Sequence, residues 1–131
     1  CGPWLSSPPA ALTARMSAQK AQKKAARVNL DWTDVSDVMA KVYEELAETK
    51  EAITSGDSPA GAEEIGDLLF AAVNLARKSG LDAESALQGA TDKFVKRFGR
   101  VEDELRARGR KLGDAGLEEL DELWNAVKND V

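Results

Sequence analysis

EELAE at residues 44–48 and EEIGD at residues 63–67 are the two stretches that decide the predicted fold. An α-helix advances by about 100° per residue, so acids three residues apart lie on the same side of it. In both stretches a pair of such acids borders a stripe of apolar residues, which predicts two amphipathic helices with acids at the margin of the buried face. The predicted stripes are Val35, Val38, Met39, Val42, Leu46 and Ile53 on the first helix, and Ile65, Leu68, Leu69, Ala72, Leu75 and Ala76 on the second.

The rest of the chain also has the pattern of helices, with caps and glycines between them. No segment alternates polar and apolar residues as a strand would, so we predict an all-α bundle of about five helices. The first of these helices is predicted from Asp31 or Asp34 to Thr54, before Gly56, and the next from the N-cap Ser58 with Pro59 to Ser79, before Gly80. A further helix is predicted from the cap Asp82 to Arg108, before Gly109. The last helix carries Leu117, Leu120, Leu123, Trp124 and Val127.

The N-terminal residues differ in composition from the rest. Residues 1–9 include three prolines and predict a linker, residues 10–30 are strong helix formers and predict a connector helix, and residues 31–131 form the predicted domain. A chain that begins with Cys1 rather than Met is expected to be a piece of something longer.

Charge and composition exclude several classes of function. The net charge of -5 argues against a nucleic-acid binder, whose contact surface would be basic. No apolar run approaches the roughly 20 residues that a membrane-spanning helix needs. A single cysteine permits no internal disulfide, which fits a reducing, cytoplasmic compartment.

The two acidic stretches also predict a metal site. The short connection between their helices favours an antiparallel pair, which would bring together the acids Glu45, Glu48, Glu64 and Asp67. Several close carboxylates are tolerated mainly when cations neutralise them, and oxygen ligands with no histidine in the chain favour Mg²⁺ or Mn²⁺ over zinc. A solvated acidic face is the alternative, but a second matched motif on the next helix favours the metal site.

The pattern EExxE followed by ExxD resembles the signature of the MazG family of nucleoside triphosphate pyrophosphohydrolases. The resemblance is to the C-terminal domain of a two-domain MazG and covers residues 10–128, with residues 18–23 similar to the connector between the domains. The other stretches that carry it are residues 31–32, 41–45, 63–71, 73–77, 93–98 and 123–128.

The resemblance implies a Mg²⁺-dependent reaction, the hydrolysis of nucleoside triphosphates between the α- and β-phosphates to monophosphate and pyrophosphate. By motif position the metal ligands would be Glu45, Glu48, Glu64 and Asp67. Glu44 and Glu63 are second-rank candidates after these four. A carboxylate that is not fully engaged by metal could act as the catalytic base; Glu44 and Glu45 are the catalytic candidates, and which carboxylate is the base stays open.

Basic and aromatic residues outside the acidic motifs are the predicted substrate contacts. Lys93 and Arg97 lie one turn apart, as do Trp124 and Lys128, and both pairs match the family pattern. Lys41 is predicted either to contact the nucleotide or to pair with Glu45. Asn74 is a further candidate for contact with base or sugar.

Two other functions remain open from the sequence. The chain is alternatively a catalytically silent nucleotide-binding or dimerisation module, or a narrower all-α pyrophosphohydrolase for phosphoribosyl-ATP or a pyrimidine deoxynucleotide. A homodimer is expected because one helix pair leaves apolar side chains uncovered. These side chains are Leu68, Leu69, Phe70 and Val73.

Overall fold

A computed structural model describes residues 13–28, 31 and 34–130 of the chain. This part of the chain is helical without a strand, which confirms the all-α prediction. The predicted linker at residues 1–9 lies outside the described residues, as do both ends of the predicted connector. The helices are α1 (Ala14–Ala26), α2 (Val35–Thr54), α3 (Ser58–Lys78), α4 (Ala83–Ala107) and α5 (Leu117–Asp130), with a short 3-10 helix at Leu112–Asp114.

Side-chain caps and glycines set the helix ends. Asp34 caps α2 by accepting the Asp37 amide at 3.1 Å. Asp57, not the predicted Ser58, caps α3, because its carboxylate accepts the Ala60 amide at 3.1 Å while Ser58 is already helical. The glycines predicted to follow α2, α3 and α4 do so in the left-handed conformation, which glycine adopts without strain. Their φ angles are 77° at Gly56, 75° at Gly80 and 70° at Gly109.

The chain divides into two compact units, Cys1–Glu84 and Ser85–Val131. In the first unit α2 and α3 form an antiparallel hairpin, because Thr49 approaches Glu64 and Ile53 approaches Gly61. Its buried face is rotated relative to the predicted stripes. Val38, Glu45 and Thr49 are buried along α2, so the acid expected at the margin lies within the contact between the helices. Apolar residues of the predicted stripes are instead exposed at Val35, Met39, Leu46, Ile53, Ile65 and Leu69.

Helix α1 docks against α3 and the start of α4 mainly through polar side chains. Arg15 forms a two-pronged ion pair with Glu84, with nitrogen–oxygen distances of 2.7 and 2.8 Å. The amide of Gln19 donates to Asp82 and accepts the backbone N–H of Ala83, so it caps α4 from another helix. Gln22 is buried and donates to the Phe70 carbonyl at 2.8 Å. The predicted connector helix is therefore part of the first unit.

A polar network connects Asp31, which precedes α2 in the chain, to the C-terminal half of α3. Asp31 pairs with Arg77 at 2.6 Å and with Lys78 at 3.2 Å. Asn74 is 1% exposed, and its Oδ1 accepts from Arg77. This burial is at odds with the predicted contact between Asn74 and a base or sugar. Val73 is also buried, so it is not part of the uncovered apolar surface expected on α3.

The second unit has its own apolar core between α4 and α5. Val101 and Leu105 of α4 pack with Leu123 and Val127 of α5, and Trp124 packs against this cluster. Arg110 and Glu119 form an ion pair in the same unit. In the described part of the chain, none of the helices combines the length and apolar composition that crossing a bilayer requires.

Candidate metal centre

Three of the four predicted metal ligands come together in the α2–α3 hairpin. One carboxylate oxygen from each of Glu45, Glu48 and Glu64 lies within 4.8 Å of the other two. Glu45 and Glu48 are one turn apart on α2, and the antiparallel crossing brings Glu64 of α3 opposite them. The spacing of the two sequence motifs therefore produces a cluster of oxygen donors from facing helices.

Glu45 is the most enclosed member of the cluster, with 5% of its surface exposed. Its Oε1 lies 3.0 Å from the ammonium of Lys41, which also lies 3.3 Å from Glu44 Oε2. Its Oε2 is buried and has no hydrogen-bond partner among the described residues. These two carboxylates raise the pKa of Lys41, chiefly through the hydrogen bond to Glu45. From the sequence, Lys41 was predicted either to contact the nucleotide or to pair with Glu45. The structure contains the ion pair with Glu45.

The environment of Glu64 disfavours its negative charge. Desolvation raises the pKa of its carboxyl group most, followed by the hydrogen bond and charge of Glu48 and then by the charges of Asp67 and Glu45. Its Oε2 is also buried without a hydrogen-bond partner. The cluster thus has two buried oxygens, one from each helix, that accept no hydrogen bond from the part of the chain that the structure describes.

Thr49 connects the backbones of the two ligand-bearing helices. Its buried hydroxyl lies 2.7 Å from the Glu45 carbonyl and 3.2 Å from the Glu64 carbonyl. This contact fixes α2 against α3 at the level of the cluster. The sequence analysis did not single out Thr49, although its position four residues after Glu45 places it on the same helix face.

The remaining acids of the motifs lie outside the three-carboxylate group. Asp67 is exposed one turn beyond Glu64, so the structure does not bring this predicted ligand to the other three, although its charge is near enough to affect Glu64. Glu63 is exposed. Glu44, a predicted base, is half exposed and paired with Lys41.

The other predicted substrate contacts all lie in the second unit. Lys93 and Lys128 are exposed, and Arg97 is half-buried. Trp124 is half-buried against the apolar core, and its ring lies 5.3 Å from that of Phe94. Phe94 also stacks on Phe98 at 6.1 Å. The aromatic neighbours of Trp124 were not singled out from the sequence.

The residues of the cluster fit a hard divalent cation. Unpaired buried carboxylate oxygens are costly, and a cation is the partner that would satisfy both of them at once. Desolvation first, and then the neighbouring carboxylates, raise the pKa of Glu64, so the site disfavours an uncompensated negative charge. Oxygen-only donors match Mg²⁺ or Mn²⁺, and Glu45, Glu48 and Glu64 would hold the ion.

Fold and site together define an all-α domain with a carboxylate cluster on a helical hairpin. Comparison with known sequences places the chain more narrowly: residues 34–101 match the MazG nucleotide pyrophosphohydrolase domain, and the chain belongs to this family. The matched region contains the whole α2–α3 hairpin and most of α4.

Two relatives have names that agree with this family. The chain is 47% identical over 124 residues to the nucleoside triphosphate pyrophosphohydrolase of Escherichia coli strain K12. The aligned region covers 92% of this chain and 46% of the relative. It is 44% identical over 111 residues to the nucleoside triphosphate pyrophosphohydrolase/pyrophosphatase MazG of Thermotoga maritima. This alignment covers 85% of the chain and 42% of that relative. The chain thus spans about half the length of these relatives.

Proposed function

We propose that this domain hydrolyses nucleoside triphosphates to nucleoside monophosphate and pyrophosphate at the carboxylate cluster of α2 and α3. The observation that carries the proposal is the convergence of Glu45, Glu48 and Glu64 within 4.8 Å, with a buried unpartnered oxygen on each helix. Family membership and the names of the two relatives support the reaction.

In this proposal Mg²⁺ is held by Glu45, Glu48 and Glu64, and Asp67 joins them from the next turn of α3. The bound ion would neutralise phosphate charge and activate the attacking water. Glu44 and Glu45 are the proposed bases, since a carboxylate with a free oxygen can accept the proton of that water. Burial of Glu45 keeps its oxygen desolvated, which strengthens its interactions with cation and proton.

The substrate contacts proposed are Lys41, Lys93, Arg97, Trp124 and Lys128. The cations would offset triphosphate charge, and the Trp124 indole offers an aromatic face for a base. A panel of ribo- and deoxynucleoside triphosphates and phosphoribosyl-ATP tests how narrow the specificity is. Turnover of a single member only would select the narrower pyrophosphohydrolase.

The direct test is to incubate the domain with each triphosphate and Mg²⁺ and to identify the products by chromatography. We expect monophosphate and pyrophosphate; diphosphate and phosphate would show that a different bond is cleaved. Tight nucleotide binding by calorimetry without products would select the catalytically silent module instead.

Substitution of a proposed ligand gives a sharper version of this test. Glu45→Gln should lower turnover by more than the roughly 100-fold that loss of an outer-shell partner costs a metal site. Glu51→Gln, an exposed change on the same helix, is the matched control and should remain active. Circular dichroism checks that both variants stay helical. Activity retained by Glu45→Gln would remove this residue from the site.

We further propose that the chain acts as a homodimer and corresponds to one domain of a longer two-domain protein in the cytoplasm. The apolar residues exposed on α2 and α3 support the dimer, because a second copy would cover them. The match to about half of each relative supports a longer parent.

A further inference from the structure

Lys41 occupies an unusual place for a residue that would only contact substrate. Its ammonium lies within ion-pair distance of two acids of the same motif, 3.0 Å from Glu45 Oε1 and 3.3 Å from Glu44 Oε2. The Glu45 side chain is almost fully enclosed, whereas that of Lys41 is 37% exposed. A positive charge therefore reaches from the solvent side to the buried Glu45 carboxylate of the cluster.

The two oxygens of Glu45 have different environments. Oε1 accepts from Lys41, while Oε2 is buried and no described protein group contacts it. The pairing therefore engages Oε1 and leaves Oε2 without a donor among the described residues. One oxygen of Glu45 also lies within 4.8 Å of an oxygen of Glu48 and of Glu64, so Lys41 offsets negative charge at the cluster while engaging one Glu45 oxygen.

From this geometry we infer that Lys41 is the counter-ion of the metal-free cluster: its ammonium offsets the carboxylate charge when the cation is absent and opposes the cation when it enters. The inference rests on the proposed metal site, and it assigns Lys41 a positioning role toward Glu45 that does not require a nucleotide. Two like charges a few ångströms apart repel, so a divalent ion beside Lys41 binds more weakly than it would beside a neutral residue.

The test measures Mn²⁺ binding without nucleotide, by electron paramagnetic resonance of the free ion. Lys41→Met should bind Mn²⁺ more tightly, by about threefold to tenfold for a single charge in a partly solvated site. Lys41→Arg keeps the charge and should retain the affinity of the unmodified protein. Lys50→Met removes the same charge from an exposed position on the same helix and should also leave the affinity unchanged.

A second measurement uses the metal-free protein in EDTA. Lys41→Met should lower the thermal midpoint more than Lys50→Met does, because it leaves the clustered carboxylates without their cation. Lys41→Gln, whose amide can still donate to Glu45, provides a folded neutral variant for the Mn²⁺ titration if Lys41→Met does not fold.

The outcomes separate the two proposals. Unchanged or weaker Mn²⁺ binding by the neutral variants, with normal binding by the unmodified protein, overturns the counter-ion role and leaves the metal site standing. Absence of Mn²⁺ binding in the unmodified protein overturns the metal site and the counter-ion role with it. A purely substrate-contacting Lys41 would leave both the affinity and the midpoint unmoved.

Discussion

The pKa of the Glu64 carboxyl group depends on burial and on the charges of the neighbouring carboxylates. Burial and the neighbouring Glu48, followed by Asp67 and Glu45, raise its pKa, so the folded state holds the Glu64 proton more tightly than the unfolded chain does. Linkage then requires the free energy of unfolding to fall as pH rises from the unfolded pKa through the folded one. Above that window the metal-free fold carries the destabilising charge in full.

Glu64→Gln should therefore stabilise the metal-free domain at neutral pH and flatten the fall in stability between mildly acidic and neutral pH. The amide is neutral at every pH, so the cluster no longer loses a proton in this window. Urea unfolding in EDTA at a series of pH values measures the effect. Glu63→Gln, on the exposed side of the same helix, should keep the original pH dependence. An identical profile for Glu64→Gln and the unmodified protein would contradict the expectation.

Thr49 makes a second prediction at the scale of a single residue. Thr49→Val keeps the shape of the side chain but removes the hydroxyl that lies between the Glu45 and Glu64 carbonyls. We expect the free energy of unfolding to decrease by about 1 kcal/mol, the usual net contribution of a hydrogen bond. Urea denaturation measures it, and Thr49→Ser, which retains the hydroxyl, should lose less. Equal losses in the two variants would assign the effect to packing rather than to the hydrogen bond.

At the scale of the helices, local sequence signals were sufficient to predict where each helix lies. They were not sufficient to predict which face of the helix is buried. Gly56, Gly80 and Gly109 mark the helix ends because left-handed backbone is a property of a single residue. The buried face of α2 depends instead on which neighbour covers it. Periodicity alone favoured the widest apolar stripe, whereas α3 covers the line that contains Glu45 and Thr49.

Contacts set by spacing within the two motif helices could be predicted from the sequence, whereas contacts with distant segments could not. Glu45, Glu48 and Glu64 share helix faces at fixed spacing, so the sequence motifs predicted that they meet. Gln22 contacts a carbonyl 48 residues away, and nothing in its local sequence indicates this partner. Contacts of α1 therefore emerged only from the tertiary structure.

Docking of α1 gives a prediction at the element scale. The ion pair with Arg15, followed by the hydrogen bond from Thr13, lowers the pKa of Glu84. A lowered folded-state pKa means that this stabilisation is present above the unfolded pKa and is lost as pH falls through the folded one. Glu84→Gln should therefore increase amide hydrogen exchange in α1 at neutral pH, with little change in α2 and α3.

Hydrogen exchange followed by mass spectrometry resolves this difference between helices. Glu104→Gln removes an acid from an exposed ion pair at the C-terminal end of α4, where Glu104 pairs with Arg108, and serves as the control. In the unmodified protein the exchange of α1, corrected for the intrinsic effect of pH, should increase in acid before that of the α2–α3 hairpin. Protection of α1 that is unchanged in Glu84→Gln would show that the ion pair does not hold the helix.

For the molecule as a whole, the main feature is a group of large apolar side chains exposed on the described residues of the α2–α3 hairpin. Leu69 is 61% exposed, and Leu46, Ile53 and Ile65 are also exposed on the hairpin. Such residues are ordinary when scattered, but several on two packed helices favour burial against a second copy. The expected oligomer thus follows from the apolar surface that the α2–α3 contact leaves exposed.

Leu69→Glu should disrupt the proposed dimer, because symmetry would place the new charge at the contact in both copies. Light scattering should give twice the 14.1 kDa chain mass for the unmodified protein and the single mass for the variant. Leu117→Glu makes the same change in the second unit at a site that is 77% exposed, and should leave the mass unchanged. A single chain mass for the unmodified protein at micromolar concentration would contradict the dimer.

The cap that Gln19 provides for Ala83 has a consequence for the order of folding. These two residues are 64 positions apart, whereas Thr49 and Glu64 are 15 apart. Closing the longer loop costs more chain entropy, and local contacts generally form faster. We expect the α2–α3 hairpin to assemble early and the first turn of α4 to become protected late, when α1 arrives.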